Sequence, residues 1–494
     1  MLPVLNHLPT NDALELCMDV DERKSASPLD SIPTEVLMSI ICFLPTKDIL
    51  KFALSSKKNY NVALPLLYCE LNWRVGKDRL DGKHSSVLRN IEFLNGHPEL
   101  YLVVKNLQIT EKRHQLEDNT KLYPDPSFDE DPYNISSFGR VAGYEFKSTH
   151  ELTNRVTRFL PRFEGLTELT LRSITLPRTF YQSIHTLSSM CLRRLIIRHC
   201  RLTTRYPKGY SPLDLRLTEL TIFRIDATAS RVLVAVRKLR ALLKLAQCPT
   251  LRLLRLDRTV NRAVGALVAH GIPPSIHTLE LDWGTHRYSD QNCGNLFLLL
   301  NKCKFIRHLE LTDIGRIHYH SGDQRLSSKA LPYLTSLKIP VIYVGLFLQS
   351  SPIDTLIITD SVSRDSMNLH LIPKCLKLAE ISSMLDALQK SNVHLRSLKF
   401  NLRYWDKEVF YMLSEKQGMI KELSIGYQYG EIDDEFFMSI GPQIEFPFLE
   451  KLHLYRFGDY MKQSGDEERY MDHKEYLIIW QLQSTIANPT EAYE

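Results

Sequence analysis

Two periods of apolar and polar positions follow one another along the chain. Between residues 28 and 75 the apolar positions recur at helical spacing. Pro33 and Glu35 suit a helix amino terminus, since proline lacks an amide that would be orphaned there and the acid meets the positive end of the dipole. Val36, Leu37, Ile40, Ile41 and Leu44 then form an apolar stripe. Pro45 stops that helix, Thr46 is placed to cap the next and Asp48 lies in its first turn. Ile49, Leu50, Ala53 and Leu54 supply a second stripe, and a third helix is expected from about Lys58 to Leu64. Three short helices cannot bury enough surface alone, so a neighbour must cover what is left.

From Val104 onward a period of two takes over. The pattern apolar-x-x-Leu-x-apolar recurs, from Val104/Leu107/Ile109, Leu166/Leu169/Leu171 and Leu192/Leu195/Ile197 to Leu449/Leu452/Leu454. From Leu166 its mean interval is about 28 residues, within the range of leucine-rich repeats. Helical stripes fill the gaps: Phe180/Ile184/Leu187, Val232/Val236/Leu239/Leu243 and Ile381/Leu385/Leu388. Strand then helix, repeated, predicts an α/β fold: an irregular leucine-rich-repeat solenoid, a horseshoe of about twelve strand–helix units over residues 76–458. Residues 110–150, rich in Pro and Asp, break the rhythm and read as a loop insertion. Residues 459–494 read as a carboxy-terminal cap and tail, with the apolar Tyr476-to-Leu482 run covering the open end. Residues 1–27 are polar and without sustained periodicity, and are expected to be a disordered tail.

Composition narrows the function classes. Of 494 residues, 62 are Lys or Arg and 57 Asp or Glu, a net charge of +5, too mild for a nucleic-acid or membrane-surface protein of this length. No apolar run approaches a membrane span, and the amino terminus lacks a basic, apolar leader, so an intracellular protein of cytoplasm or nucleus is expected. Nine cysteines at irregular spacing form no CxxC pair and read as reduced thiols. Cys200 completes the Leu-x-x-Leu-x-Leu-x-x-Cys frame and is expected to pack. His318 and His320, with Cys293 and Cys303 upstream, lack the spacing of a metal site. Glycine-rich phosphate loops, HExxH and GxSxG are missing from the sequence. No enzyme, cofactor or metal is expected.

Residues 29–68 resemble the F-box, the helical adaptor motif of SCF-type ubiquitin ligases. The resemblance rests on Ile32-Pro33, Glu35, Leu37, Ile40, Phe43-Leu44, Asp48-Ile49-Leu50, Ala53-Leu54-Ser55 and the ending Ala63-Leu64-Pro65-Leu66-Leu67-Tyr68. The ending looks like a variant common in fungal F-box proteins. Ile32 stands where Leu is more usual, and Lys57-Lys58-Asn59-Tyr60 lacks a frequent tryptophan. An F-box over 28–75 followed by leucine-rich repeats is itself a family architecture. The resemblance implies docking on a Skp-type adaptor, and through it a cullin, by Pro33, Val36, Leu37, Ile40, Leu44, Ile49, Leu50 and Leu54. Any of these residues can equally belong to the core of the three helices. It also implies a non-catalytic substrate receptor whose repeats bind a target protein for ubiquitination; the alternative is a repeat scaffold acting without ubiquitin transfer.

In such a repeat array the residues flanking the inward leucines face outward. Arg172, Arg193, Arg194, Arg198, Arg224, Arg252, Arg255 and Arg258 are expected to form one basic stripe, followed by Glu280, Asp282, Glu310 and Asp313. Guanidinium groups suit a bidentate grip on carboxylate or phosphate, so an acidic or phosphorylated target is one expectation. The other is a solvated face on which these arginines pair with nearby acids.

Overall fold

The computed structural model describes residues 31–75, 86–111, 146–203, 206–207, 209–226, 232–257, 264–282, 290–312, 326–327, 329–348, 351–359, 375–430, 432, 436, 446–456 and 478–480. The amino-terminal tail, residues 112–145 of the insertion, the stretch 459–470, Arg258, Asp313 and the His318 and His320 pair lie outside them. The chain divides into two compact units, Met1–Leu251 and Arg252–Glu494.

Among the described residues, the first unit begins with α1 (Thr34–Ile41), α2 (Thr46–Ala53) and α3 (Lys57–Tyr68). Cys69 alone separates α3 from β1 (Glu70–Val75), a strand the Leu-x-Leu pattern does not predict. Its inward position is Trp73, in register with Ile109, so an indole stands where the next four strands of the unit's sheet carry Ile109, Leu171, Ile197 and Ile222. Trp73 packs on Phe159 and Phe163, with ring centroids 6.1 and 5.7 Å away, and Tyr68 stacks on Phe93 at 5.8 Å. These aromatic contacts pack the end of α3 and the strand that follows it against later segments of the same unit.

The unit continues with α4 (Ser86–Gly96), α5 (Leu100–Val103), β2 (Asn106–Glu111), α6 (Phe146–Phe159), β3 (Glu168–Arg172) and β4 (Thr175–Leu176). It ends with α7 (Thr179–Met190), β5 (Arg194–Arg198), β6 (Arg201–Leu202), β7 (Glu219–Phe223) and α8 (Val232–Leu243). Both margins of the expected 110–150 insertion therefore belong to regular elements, β2 and α6. Strands β1, β2, β3, β5 and β7 lie side by side, all parallel. Leu107, Leu169, Leu195 and Leu220 form one inward row, and Ile109, Leu171, Ile197 and Ile222 the next, all of them buried.

A repeated backbone device locks this register. The carbonyl just ahead of each strand accepts two amides from the following repeat: Lys105 O from Thr167 and Glu168, Thr167 O from Arg193 and Arg194, and Arg193 O from Thr218 and Glu219. Slipping a strand by one residue would turn its leucines to water and break this double acceptor. The device depends on the strand start and not on what precedes it, which is why repeats of unequal length still align. Three successive strands end in left-handed residues, Ser173 (φ 58°), His199 (φ 54°) and Arg224 (φ 48°). Cys200 follows one of them, buried, with its Sγ 3.4 Å from Leu171 O. Burial pushes its thiol up to about 12, so it is a packing residue, as the repeat frame predicts.

The second unit contains β8 (Leu253–Leu256), α9 (Val264–His270), β9 (Thr278–Asp282), α10 (Asp290–Lys302), β10 (His308–Thr312), β11 (Ser336–Pro340) and α11 (Val344–Phe347). It continues with β12 (Thr355–Thr359), α12 (Leu378–Lys390), β13 (Ser397–Tyr404), α13 (Glu408–Lys416), β14 (Glu422–Tyr429), β15 (Lys451–Arg456) and β16 (Ile478–Trp480). Strands β8 to β15 are parallel in sequence order. β16, the described part of the expected capping run, pairs antiparallel with β15, with Leu452 opposite Trp480. The double acceptor recurs here, as at Arg307 O and Lys421 O. On β14, Gly426 lies beneath the Tyr455 ring, whose hydroxyl donates to Asn401 Oδ1 at 2.9 Å. A Cβ at that glycine would stand 2.8 Å from the ring. Downstream of the three helices, the architecture is a mixed α/β region with a mostly parallel sheet.

Candidate interaction surface

The first three helices divide their apolar residues between a core and the outside. α1 follows Pro33, whose carbonyl accepts from Leu37 N at 3.0 Å. α2 likewise follows Pro45, so Thr46 is the first helical residue and not the cap expected from the sequence. α3 is capped by Ser56, whose hydroxyl accepts from Asn59 N at 3.1 Å. It runs through Pro65 to Tyr68, past the expected end at Leu64. Leu66 and Leu67 pack against the helical core and Tyr68 stacks on Phe93, contacts that hold the helix past the amide proline lacks.

Leu37, Ile41, Ile49, Ala53, Val62 and Ala63 form the core of the block. Two residues of the expected adaptor-binding set, Leu37 and Ile49, therefore face inward, at 2 % and 7 % exposure. They interdigitate with α3 and support the surface from beneath. Pro33, Val36, Ile40, Leu44 and Leu54 remain exposed, and Leu50 is half-buried. Val36 and Ile40 share one face of α1 at i, i+4. Phe43 extends that line in the turn after the helix and is 86 % exposed, the most open large apolar side chain of the block. It carries the family resemblance in sequence, yet helical periodicity does not select it, because it lies past the end of α1.

Ion pairing divides the expected basic stripe. Arg194 lies between two acids on the flanking strands, 2.8 Å from Glu168 Oε2 and 2.6 Å from Glu219 Oε2. These carboxylates hold its guanidinium above the ordinary arginine range. Arg193, one residue before β5, turns back and donates to the Leu192 carbonyl at 3.1 Å, so it leaves the row. Arg172 and Arg198 are exposed and directly opposite each other. Arg224 is exposed just past the end of β7. In the second unit Arg252 is exposed ahead of β8, and Arg255 Nε lies 2.5 Å from Glu280 Oε2, a charge contact whose N–H is not aligned for a hydrogen bond. Lys338 pairs with Glu310 at 2.6 Å. At Arg194, Arg255 and Glu310 the face is neutralised locally by cross-strand pairs, the second of the two expectations, and the arginines do not form one continuous basic stripe. Arg74 on β1, which the sequence pattern omits along with its strand, joins the row of Arg172 and Arg198.

Among the described residues, no group of histidine, cysteine and acidic side chains has the arrangement of a metal site, and no helix is long and apolar enough to cross a membrane. No curated protein matches the chain. Residues 29–66, the three helices with their inward Leu37 and Ile49 and outward Ile40 and Phe43, match the F-box domain family, whose members typically bind Skp-type adaptors.

Proposed function

We propose that this protein is a substrate receptor of an SCF-type ubiquitin ligase, its F-box docking on a Skp-type adaptor and thereby on a cullin. The strand–helix units downstream act as an irregular leucine-rich-repeat solenoid that holds a target protein. The receptor carries no chemistry of its own and works in the cytoplasm or nucleus. The observation that supports this reading most is the exposure of Val36, Ile40 and Phe43 within a matched F-box domain. Apolar side chains left open on a small helical block need a partner surface, and the depth of Leu37 and Ile49 holds them in place.

The test is co-purification of the full chain with adaptor and cullin, for the native protein and for the triple variant Val36→Ser, Ile40→Ser, Phe43→Ser. Recovery of both subunits with the native chain, and of neither with the variant, supports the receptor. Adaptor without cullin favours a scaffold acting without ubiquitin transfer. An unchanged yield from the variant ends the assignment of this surface.

A further inference from the structure

We propose that Arg74, Arg172 and Arg198 form an anion-binding row at the carboxy-terminal edge of the first unit's sheet, taking a target segment with two anionic side chains three to four residues apart. The proposal deepens the receptor reading, from which it takes the assumption that a target is held at all.

The row follows from strand register. Arg74 on β1 is opposite Thr110 on β2, Thr110 is opposite Arg172 on β3, and Arg172 is opposite Arg198 on β5. By strand alternation the three arginines share one face, and all are exposed. None has an ion-pair or hydrogen-bond partner on its side chain among the described residues. At the other end of the same strands the row reads Glu70, Asn106, Glu168, Arg194, Glu219. There one arginine sits between two carboxylates and is neutralised. The sheet thus disposes of its cation at one edge and leaves three uncompensated at the other.

Geometry sets the ligand. Adjacent strands are about 4.8 Å apart, so Arg172 and Arg198 are spaced to grip one anionic group together. Arg74 lies two strands from Arg172, on the order of 10 Å, and reaches a second anion. An extended segment advances about 3.3 Å per residue, which gives the separation of three to four residues. Phe223, opposite Arg198 on β7 and half-buried, offers an apolar flank at the end of the row. The backbone beneath is fixed: Ser173 and His199 close β3 and β5 in left-handed conformation, donating to Arg198 O at 2.9 Å and Phe223 O at 2.8 Å. A continuous polyanion is disfavoured because Glu70, Glu168 and Glu219 lie at the opposite edge of the same face. Discrete anions on a protein segment fit both edges. Phosphoryl and carboxylate groups share this chemistry, and the test separates them.

The experiment measures binding of the full chain, by fluorescence anisotropy at fixed ionic strength, to synthetic peptides. Each carries two phosphoserines separated by one to seven positions in a neutral background, with paired-glutamate and unmodified sets in parallel. Affinity should peak at separations of three and four. The double variant Arg172→Ala, Arg198→Ala should bind about tenfold more weakly or worse, as loss of hydrogen bonds to charged groups implies. Arg74→Ala should abolish the spacing preference, whereas Arg194→Ala should stay within about twofold of the native chain, its charge being already paired. Equal affinity for glutamate pairs identifies carboxylate as a sufficient ligand; preference for phosphoserine identifies phosphate. Affinity independent of spacing, or a double variant that binds like the native chain with native circular dichroism, overturns the proposal. So does a more than tenfold gain on deleting the acid-bearing residues 112–145, which would make this chain its own ligand. Adaptor capture is measured on the same proteins. Capture with no peptide binding removes the row alone, and peptide binding with no capture removes the receptor reading alone.

Discussion

The F-box helices and the first unit's sheet treat apolar side chains in opposite ways. In the sheet, every leucine of the repeated pattern is buried, and the outward face is mainly polar and charged, with Ile196 and Phe223 half-buried among the charges. In the helical block, Leu37 and Ile49 are buried while Val36, Ile40 and Phe43 remain in water. The sheet completes its own core because each repeat covers the next. Three short helices have too little area to do so, and what they leave uncovered marks where a partner is needed. Uncompensated surface is thus the informative feature in both regions: apolar on the F-box, cationic at one edge of the sheet.

The comparison can be broken most severely inside the two cores. Leu195→Ala and Leu37→Ala should each cost about 2–5 kcal/mol, read by urea denaturation, since both remove a fully packed side chain. A loss below 1 kcal/mol at either position would show that its surroundings collapse onto the gap. Trp73→Ala should fall in the upper part of that range, about 3–5 kcal/mol. Trp73→Phe should cost less, because the buried indole Nε1 has no hydrogen-bond partner to lose. The exposed triple variant at Val36, Ile40 and Phe43 should leave the urea midpoint nearly unchanged, within about 0.5 kcal/mol per site, while adaptor capture is lost. A large drop in its midpoint would place those residues in the core and erase the contrast. Smallest of all, Arg194→Gln should cost no more than about 1 kcal/mol, and the cost should shrink in high salt, as for exposed ion pairs.

Legibility followed the range of the interaction. The strands β2, β3, β5 and β7 to β15 each carry a predicted apolar-x-x-Leu-x-apolar pattern, because alternation is local and independent of repeat length. The helices at Phe180, Val232 and Ile381 were legible for the same reason. β1 was not, because aromatic Tyr68 and Trp73 stand at the two apolar positions flanking Leu71, and its register with Ile109 reveals the strand.

The sequence by itself determined which residues of a strand face inward and which segment resembles an F-box, since both are set by spacing within a few residues. It could not determine whether Leu37 or Ile40 faces the core of the helical block. Both lie on one broad apolar stripe, and the choice belongs to where α2 and α3 pack. Nor could it separate Arg194 from Arg198, two arginines four residues apart on one strand. Their partners come from strands about 25 residues away in sequence, and only register places carboxylates beside the first and another arginine beside the second. Tertiary structure decided these matters because a charge or an apolar face is satisfied by whatever lies opposite it in space.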